Sequence, residues 1–210
     1  MKAPAGTAPA TTPLVLIVDD DEAIREALTD LLRSVGIEAR SFGSTKELLD
    51  AAPTDRPGCL ILDVRLPGLS GLDLQAQLAR GGNTRPIIFM TGHGDIPMSV
   101  RAMKAGAMDF LTKPFRDQDM LDAVAAAIDK DRTQRQDAAA AKEVAALAAT
   151  LTPRETEVMA AVVKGLMNKQ IAGLLGISEI TVKLHRGNVM RKMAVRSVAD
   201  LVRKAELLER

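Results

Sequence analysis

Four apolar runs in this chain end in a side chain that can do chemistry. Leu14-Val15-Leu16-Ile17-Val18 runs straight into Asp19-Asp20-Asp21-Glu22, and Cys59-Leu60-Ile61-Leu62 runs into Asp63. A third run closes at Met90 with Thr91 next, and a fourth, Asp109-Phe110-Leu111-Thr112, meets Lys113 and Pro114. Crowded carboxylates repel one another unless a cation or a helix N-terminus offsets them. Taken alone, Asp20 and Asp21 need do no more than favour the first turn of a helix. If the fold brings Asp63 beside Asp19 and Asp20, three carboxylates cannot all stay ionised without a cation. Hard oxygen donors with open positions suit Mg²⁺ (or Mn²⁺), which keeps waters and recruits a phosphate oxygen. An ammonium from Lys113 and a hydroxyl from Thr91 would complete a clamp for a phosphoryl group carried on a carboxylate.

The elements that must position these groups follow from the spacing. Five short apolar runs recur, Leu14–Val18, Ile37–Ser41, Cys59–Leu62, Pro86–Met90 and Asp109–Leu111, and helical patterns fill the gaps. Being short and β-branched, the first reads as a strand buried on both faces. Ser44-Thr45-Lys46-Glu47 is a capping box, Ser70 a helix N-cap, and Asp95 before Ile96-Pro97 another helix start. Gly36 and Gly106 sit where helices should stop. Strand and helix alternating five times specify an α/β doubly wound five-stranded parallel sheet with helices on both faces. The acids, the hydroxyl and the lysine then all fall at the carboxyl edge of the sheet, where open α/β folds bind ligands.

Charge divides the chain in a way its formal net of +1 conceals. Residues 1–116 carry 13 basic and 14 acidic side chains, residues 117–150 carry 4 and 7, and residues 151–210 carry 11 and 6. The C-terminal end alone is basic, and only there is nucleic acid an expected partner. A single cysteine, Cys59, excludes a disulfide framework and fits a reducing compartment, so the expected location is cytoplasmic. No apolar stretch approaches the roughly 18 residues of a membrane span, so no membrane partner is expected. Residues 1–13, mostly Ala, Thr and Pro, read as a disordered tail without the apolar core of a signal peptide. A helix beginning near Asp117 closes the α/β domain, 14–128, and continues into a helical linker, 129–150. From Leu151 to Arg210 everything reads as helix, starting at Thr152-Pro153-Arg154-Glu155 and continuing over roughly 167–174, 178–193 and 197–208.

The acidic constellation resembles the receiver domain of two-component response regulators, a CheY-like, flavodoxin-like fold. Val18-Asp19-Asp20, Leu62-Asp63, Leu66-Pro67-Gly68, Met90-Thr91-Gly92 and Phe110-Leu111-Thr112-Lys113-Pro114-Phe115 carry the likeness. It implies that Asp63 accepts a phosphoryl group from a sensor histidine kinase. It also implies that Asp20, Asp63 and the main-chain carbonyl of Arg65 bind Mg²⁺, with Asp19 acting through a water. Thr91 and Lys113 would hold the phosphoryl oxygens, Phe110 would be the switch aromatic that follows Thr91, and the Lys113–Pro114 bond would be cis. Arg65 and His93 flank the phosphoryl position and are expected to set its lifetime.

Lys169 to Lys183 has the pattern of a helix-turn-helix, with small Ala172 at the close approach, Gly176 in the turn, and Ile180 and Val182 expected on the inner face. From Leu151 to Arg210 the chain resembles the LuxR-type four-helix DNA-binding domain, through Leu151-Thr152-Pro153-Arg154-Glu155, Gly165 to Ala172, and Thr181-Val182-Lys183-Leu184-His185. The resemblance implies that the helix over 178–193 enters the major groove, with Lys183, Leu184, Gly187 and Asn188 facing the bases. Lys169, Thr181, His185, Arg186 and Arg191 then contact phosphates. The last helix, with Val198, Leu201, Val202 and Leu208, usually forms the dimer contact in that family. Together the halves resemble a NarL/FixJ-type response regulator, which implies a homodimer on phosphorylation and a promoter with two-fold-related half-sites. Two other readings compete: a Mg²⁺-dependent aspartyl phosphohydrolase, which lacks a second catalytic acid near Asp63, and a phosphorylation-independent regulator whose receiver only docks a partner. Beyond phosphoryl transfer to and from Asp63 itself, no enzymatic turnover is expected.

Overall fold

A computed structural model describes residues 12–52, 54–92 and 96–208, and the chain packs as two units, Met1–Arg135 and Gln136–Arg210. The first is built from β1 (Leu14–Val18), α1 (Glu22–Ser34), β2 (Glu38–Phe42), α2 (Thr45–Asp50), β3 (Leu60–Asp63), α3 (Gly71–Arg80), β4 (Ile87–Thr91), α4 (Ile96–Lys104), β5 (Asp109–Thr112) and the start of α5 (Asp117–Ala148). All strands are parallel, in the order β2-β1-β3-β4-β5. The chain crosses over between β1 and β3, and that switch point is where the sheet's carboxyl edge opens. The doubly wound sheet expected from the sequence is the one observed.

The pleat sorts the apolar residues into two layers. Val15, Ile17, Ile61, Ile88 and Met90 pack with Leu28 and Leu32 of α1 and with Met120, Val124 and Ile128 of α5. Val18, Leu60, Leu62, Ile87 and Phe89 pack on the other side with Leu74 of α3 and Ala102 of α4. Each fully buried side chain of this kind contributes about 1.5–3 kcal/mol. The edge strand β2 begins one residue after the expected Ile37, because the Ile37 amide is already committed to the Leu32 carbonyl at the end of α1. There Gly36, at φ +75°, turns the chain. Cys59 is buried, and desolvation pushes its thiol up to about 12, so it is a packing residue and not a nucleophile.

At the amino edge of the sheet a polar clip holds α5. Asp131, 1 % exposed, accepts from the Gly58 amide at 2.8 Å and from Arg135 Nε at 2.8 Å. Arg135 also reaches the Asp55 carboxylate at 2.7 Å. Gly58 is required here, since a Cβ would lie 1.9 Å from the Leu14 carbonyl oxygen. Arg85 closes the clip by donating to the carbonyls of Leu14, Thr54 and Arg56.

In the second unit α6 (Pro153–Val163), α7 (Asn168–Leu175), α8 (Glu179–Lys192) and α9 (Val198–Glu206) enclose Val158, Val162, Ile171, Val182, Val189 and Leu201. Thr152 and Glu155 form a reciprocal capping box. Lys192 ties the far end of α8 to it, bonding Glu155 at 2.6 Å and the Thr150 carbonyl at 2.9 Å. Gly176, at φ +65°, ends α7 in the left-handed turn of the helix-turn-helix. The segment expected as a linker, 129–150, is helical to Ala148 and is shared between the units. Asp131 and Arg135 bond to the first, while Val144 and Leu147 pack in the second.

One expectation is corrected. Ile180 is not on an inner face but 80 % exposed, because it lies about 200° around the helix from buried Val182. The apolar stripe of the last helix is split: Leu201 is fully buried and Val198 packs on the same core, while Val202 is half-buried and Leu208 is exposed. The expected disordered tail falls mostly on residues 1–11, and His93 and Asp95 likewise lie outside the described residues. Among the described residues no helix is long and apolar enough to cross a membrane.

Candidate functional site

Strand register assembles the site. Val18 of β1 is opposite Leu62 of β3, so Asp19 and Asp63 emerge side by side. Asp63 is opposite Met90 of β4, which sets Thr91 one position further on, and Thr91 pairs with Thr112 of β5, immediately before Lys113. The Lys113 amide donates to the Thr91 carbonyl at 2.8 Å, and the Lys113–Pro114 bond is cis. Lys113 Nζ lies 2.6 Å from Asp19 Oδ2 and 2.7 Å from Asp63 Oδ2. Both carboxylates are nearly closed to solvent, at 1 % and 9 % side-chain exposure. Burial raises the Asp19 carboxyl above its ordinary value, against the pull of Lys113. Burial works against the Lys113 ammonium too, but its bonds to Asp19 and Asp63 outweigh it and raise its pKa.

The acids divide their roles. Asp21 is the N-cap of α1, accepting from the Ala23 amide at 2.9 Å, so one carboxylate of the run is a helix start. Asp19, Asp20 and Asp63 form the cluster instead, each offering an oxygen within 4.8 Å of the others. Asp20 is exposed and borders an open cleft of about 640 Å³ that Arg65, Ser70, Asp73 and Arg101 also line. An all-oxygen donor set of this charge fits a hard divalent cation such as Mg²⁺. The Arg65 amide donates to Asp63 Oδ1 at 2.9 Å, which places the Arg65 backbone against the acidic cluster, while its side chain is exposed.

Two positioning residues escaped the sequence reading. Arg25 Nη1 donates to the carbonyls of Asp19 at 2.8 Å and Asp20 at 3.0 Å, folding the acidic loop back on α1. Its signal was a lone arginine one turn into a helix that starts among acids. Gly71 is the other: a Cβ there would sit 2.4 Å from the Asp63 carbonyl oxygen. The start of α3 can therefore approach Asp63 only without a side chain. Thr91 is fully buried, and Phe110 is half-buried against Phe89, ring centres 6.4 Å apart.

In the second unit Lys169, Lys183, Leu184, Gly187 and Arg191 are exposed, and Thr181, His185, Arg186 and Asn188 are half-buried. Arg186 Nη1 donates to Asn168 Oδ1 at 2.8 Å, joining α8 to the start of α7. Arg191 donates to Asn188 Oδ1 at 3.1 Å, and the Ser178 and Thr181 hydroxyls share a bond of 2.8 Å. From Ile180 to Ala199 there is no acidic residue.

The response regulator receiver domain family matches residues 15–125, and the luxR family of bacterial regulatory proteins matches residues 149–205. Nodulation protein W of Bradyrhizobium diazoefficiens is 56 % identical over 202 residues, covering 96 % of this chain and 89 % of that protein. The transcriptional regulatory protein FixJ of Azorhizobium caulinodans is 46 % identical over 194 residues, 92 % of each chain. Among solved structures, the response regulator StyR superimposes with a TM-score of 0.81 at 48 % identity, over 93 % of this chain and 98 % of that one. Full-length FixJ from B. japonicum superimposes with a TM-score of 0.58 at 41 % identity, over 94 % and 97 %. With an acidic strand-end site in one unit and a helix-turn-helix in the other, this chain belongs to the response regulators that join a receiver domain to a LuxR-type DNA-binding domain and act in transcription.

Proposed function

We propose that the protein is a cytoplasmic transcription regulator switched on when Asp63 takes a phosphoryl group from a sensor histidine kinase. The observation that carries this reading is the Asp63 carboxylate held 2.7 Å from Lys113 Nζ beside Asp19 and Asp20. An Asp63 oxygen attacks the phosphorus of a phosphohistidine, and the P–N bond breaks with its electron pair leaving on the imidazole. Lys113 stays charged and faces the oxygens as they arrive, and the Thr91 hydroxyl moves to meet them. Asp20, Asp63 and the Arg65 carbonyl would hold Mg²⁺, with Asp19 acting through a water. When bound, the ion supplies positive charge that offsets the phosphoryl oxygens. Arg65 and His93 tune how long the group persists.

Phosphorylation adds about −1.5 to −2 charge at Asp63. Thr91 and Phe110 reorganise around it, and the α4–β5 face pairs with a second copy. An exposed apolar stripe on α4, Ile96, Val100 and Met103, supports that pairing. A pair of α8 helices then reads two-fold-related half-sites in a promoter. Lys183, Leu184, Gly187 and Asn188 face the bases, and Lys169, Thr181, His185, Arg186 and Arg191 face the phosphates.

The test is Asp63→Asn with acetyl phosphate and Mg²⁺. The wild type should gain one phosphoryl mass and bind a duplex selected from random sequence more tightly, and the variant should do neither. A variant that dimerises and binds like the treated wild type would end this account.

A further inference from the structure

The side chain that the fold leaves most conspicuously unused is Ile180. It is 80 % exposed, in a unit whose core is already filled by Val182 and Val189 of the same helix. It occupies the second position of α8, and the N-terminal residues of a recognition helix are those that meet base edges. At about 100° per residue, Leu184 lies about 40° from Ile180, Gly187 about 20° to the other side, and Arg191 about 20°. Leu184 is 64 % exposed, and nothing lies within 4 Å of where a Gly187 Cβ would be. The outward face of α8 is thus a narrow apolar strip over a bare backbone, with exposed Lys183 beside it, exposed Arg191 at its far end, and no acid between Glu179 at the helix start and Asp200. The cations fit a polyanion, and the strip beside them fits something apolar inside it.

We propose that Ile180 is a specificity-determining residue that packs on thymine C5-methyl groups in the major groove, so that each half-site requires a thymine beneath the start of α8. The inference rests on the proposed function, specifically on α8 entering the groove, and it adds what that helix selects. The major-groove edges of the bases present hydrogen-bond donors and acceptors, and the only apolar group among them is the thymine methyl. An aliphatic side chain seated over any other edge would strip a polar group of water and return no bond. Over the methyl it buries apolar surface on both partners. Leu184 extends the same strip toward the next base step, and Gly187 lets the helix backbone approach without adding a competing contact.

The test uses the full chain treated with acetyl phosphate. Duplexes are selected from a random library with wild type and with Ile180→Ala, and each thymine of the wild-type site is then replaced singly by deoxyuridine, which removes only the methyl. Wild type should select a fixed thymine in each half-site and lose about fourfold in affinity on its replacement, the effect of one buried methyl. Ile180→Ala should bind the thymine and deoxyuridine duplexes equally and relax selection at that position alone. Because Ile180 is exposed, its thermal unfolding should match wild type, and the deoxyuridine arm needs no variant. If wild type selects duplexes yet no deoxyuridine replacement weakens binding, or if Ile180→Ala keeps the same methyl sensitivity, Ile180 faces something other than DNA and the assignment is overturned. If the treated protein selects no duplex at all, the reading of α8 falls as well.

Discussion

Lys113 is the residue on which the resting state of the acidic site depends. Its ammonium bonds Asp19 and Asp63 together, and both are nearly closed to water. Breaking a buried pair by removing one partner costs about 3–5 kcal/mol, because the charges left behind have no compensation. Lys113→Met should therefore lose about 3 kcal/mol by urea unfolding in chelator, and added Mg²⁺ should restore part of it. A variant as stable as wild type in chelator would show that the two carboxylates tolerate one another unaided. Glu155 gives the second unit a residue-level pH response of known sign. Its bond to Lys192, with the Thr152 amide, lowers its pKa from 4.5 to about 2. A depressed folded-state value means stability present above pH 4.5 and lost as pH falls from there toward about 2. Acid unfolding followed by helical circular dichroism should show the second unit weakening across that window, and Glu155→Gln should flatten the slope while lowering stability near neutrality.

Among the elements, α5 shows how far sequence reading reached. Its helicity was legible from Ala, Gln and charge without Gly or Pro, but its attachments were not. Asp131 has no distinguishing neighbour in the sequence, and only the fold puts it against the Gly58 amide some 73 residues away. Asp131→Ala leaves that buried amide without its acceptor and Arg135 with Asp55 alone, so it should lose about 2–3 kcal/mol and speed hydrogen exchange at Gly58. Unchanged exchange at Gly58 would mean the clip is ornamental. The strands were legible to within about one residue, since apolar runs bounded by Gly, Pro and acids admit little else. Site residues at strand ends were legible for the same reason: register carries Asp19, Asp63, Thr91 and Lys113 to one edge. Arg25 and Gly71 were hidden because their partners are backbone carbonyls, which have no signature in sequence. Ile180 was misplaced because two apolar residues two apart suit a strand's face, not a helix's.

At the scale of the whole molecule, the basic charge is gathered in the LuxR-type unit, while the receiver unit is near neutral. Pairing two copies would raise the local concentration of reading helices, so affinity could rise with no new base contact. The α4 stripe is the surface to test. Val100→Asp should leave phosphorylation of Asp63 intact while abolishing the dimer that sedimentation velocity detects after acetyl phosphate treatment, and DNA affinity should fall at least tenfold. A dimer that survives the substitution would place the pairing elsewhere. One last consequence belongs to Gly58 and Gly71, where an added methyl would collide with main-chain oxygen. Neither glycine has a side chain with which to do chemistry, yet in a saturation library both codons should be as intolerant as that of Asp63. A survey of mutational tolerance would thus flag a backbone crossing and a reacting carboxylate with equal force, and only a selection for folding separate from signalling would tell architecture from chemistry.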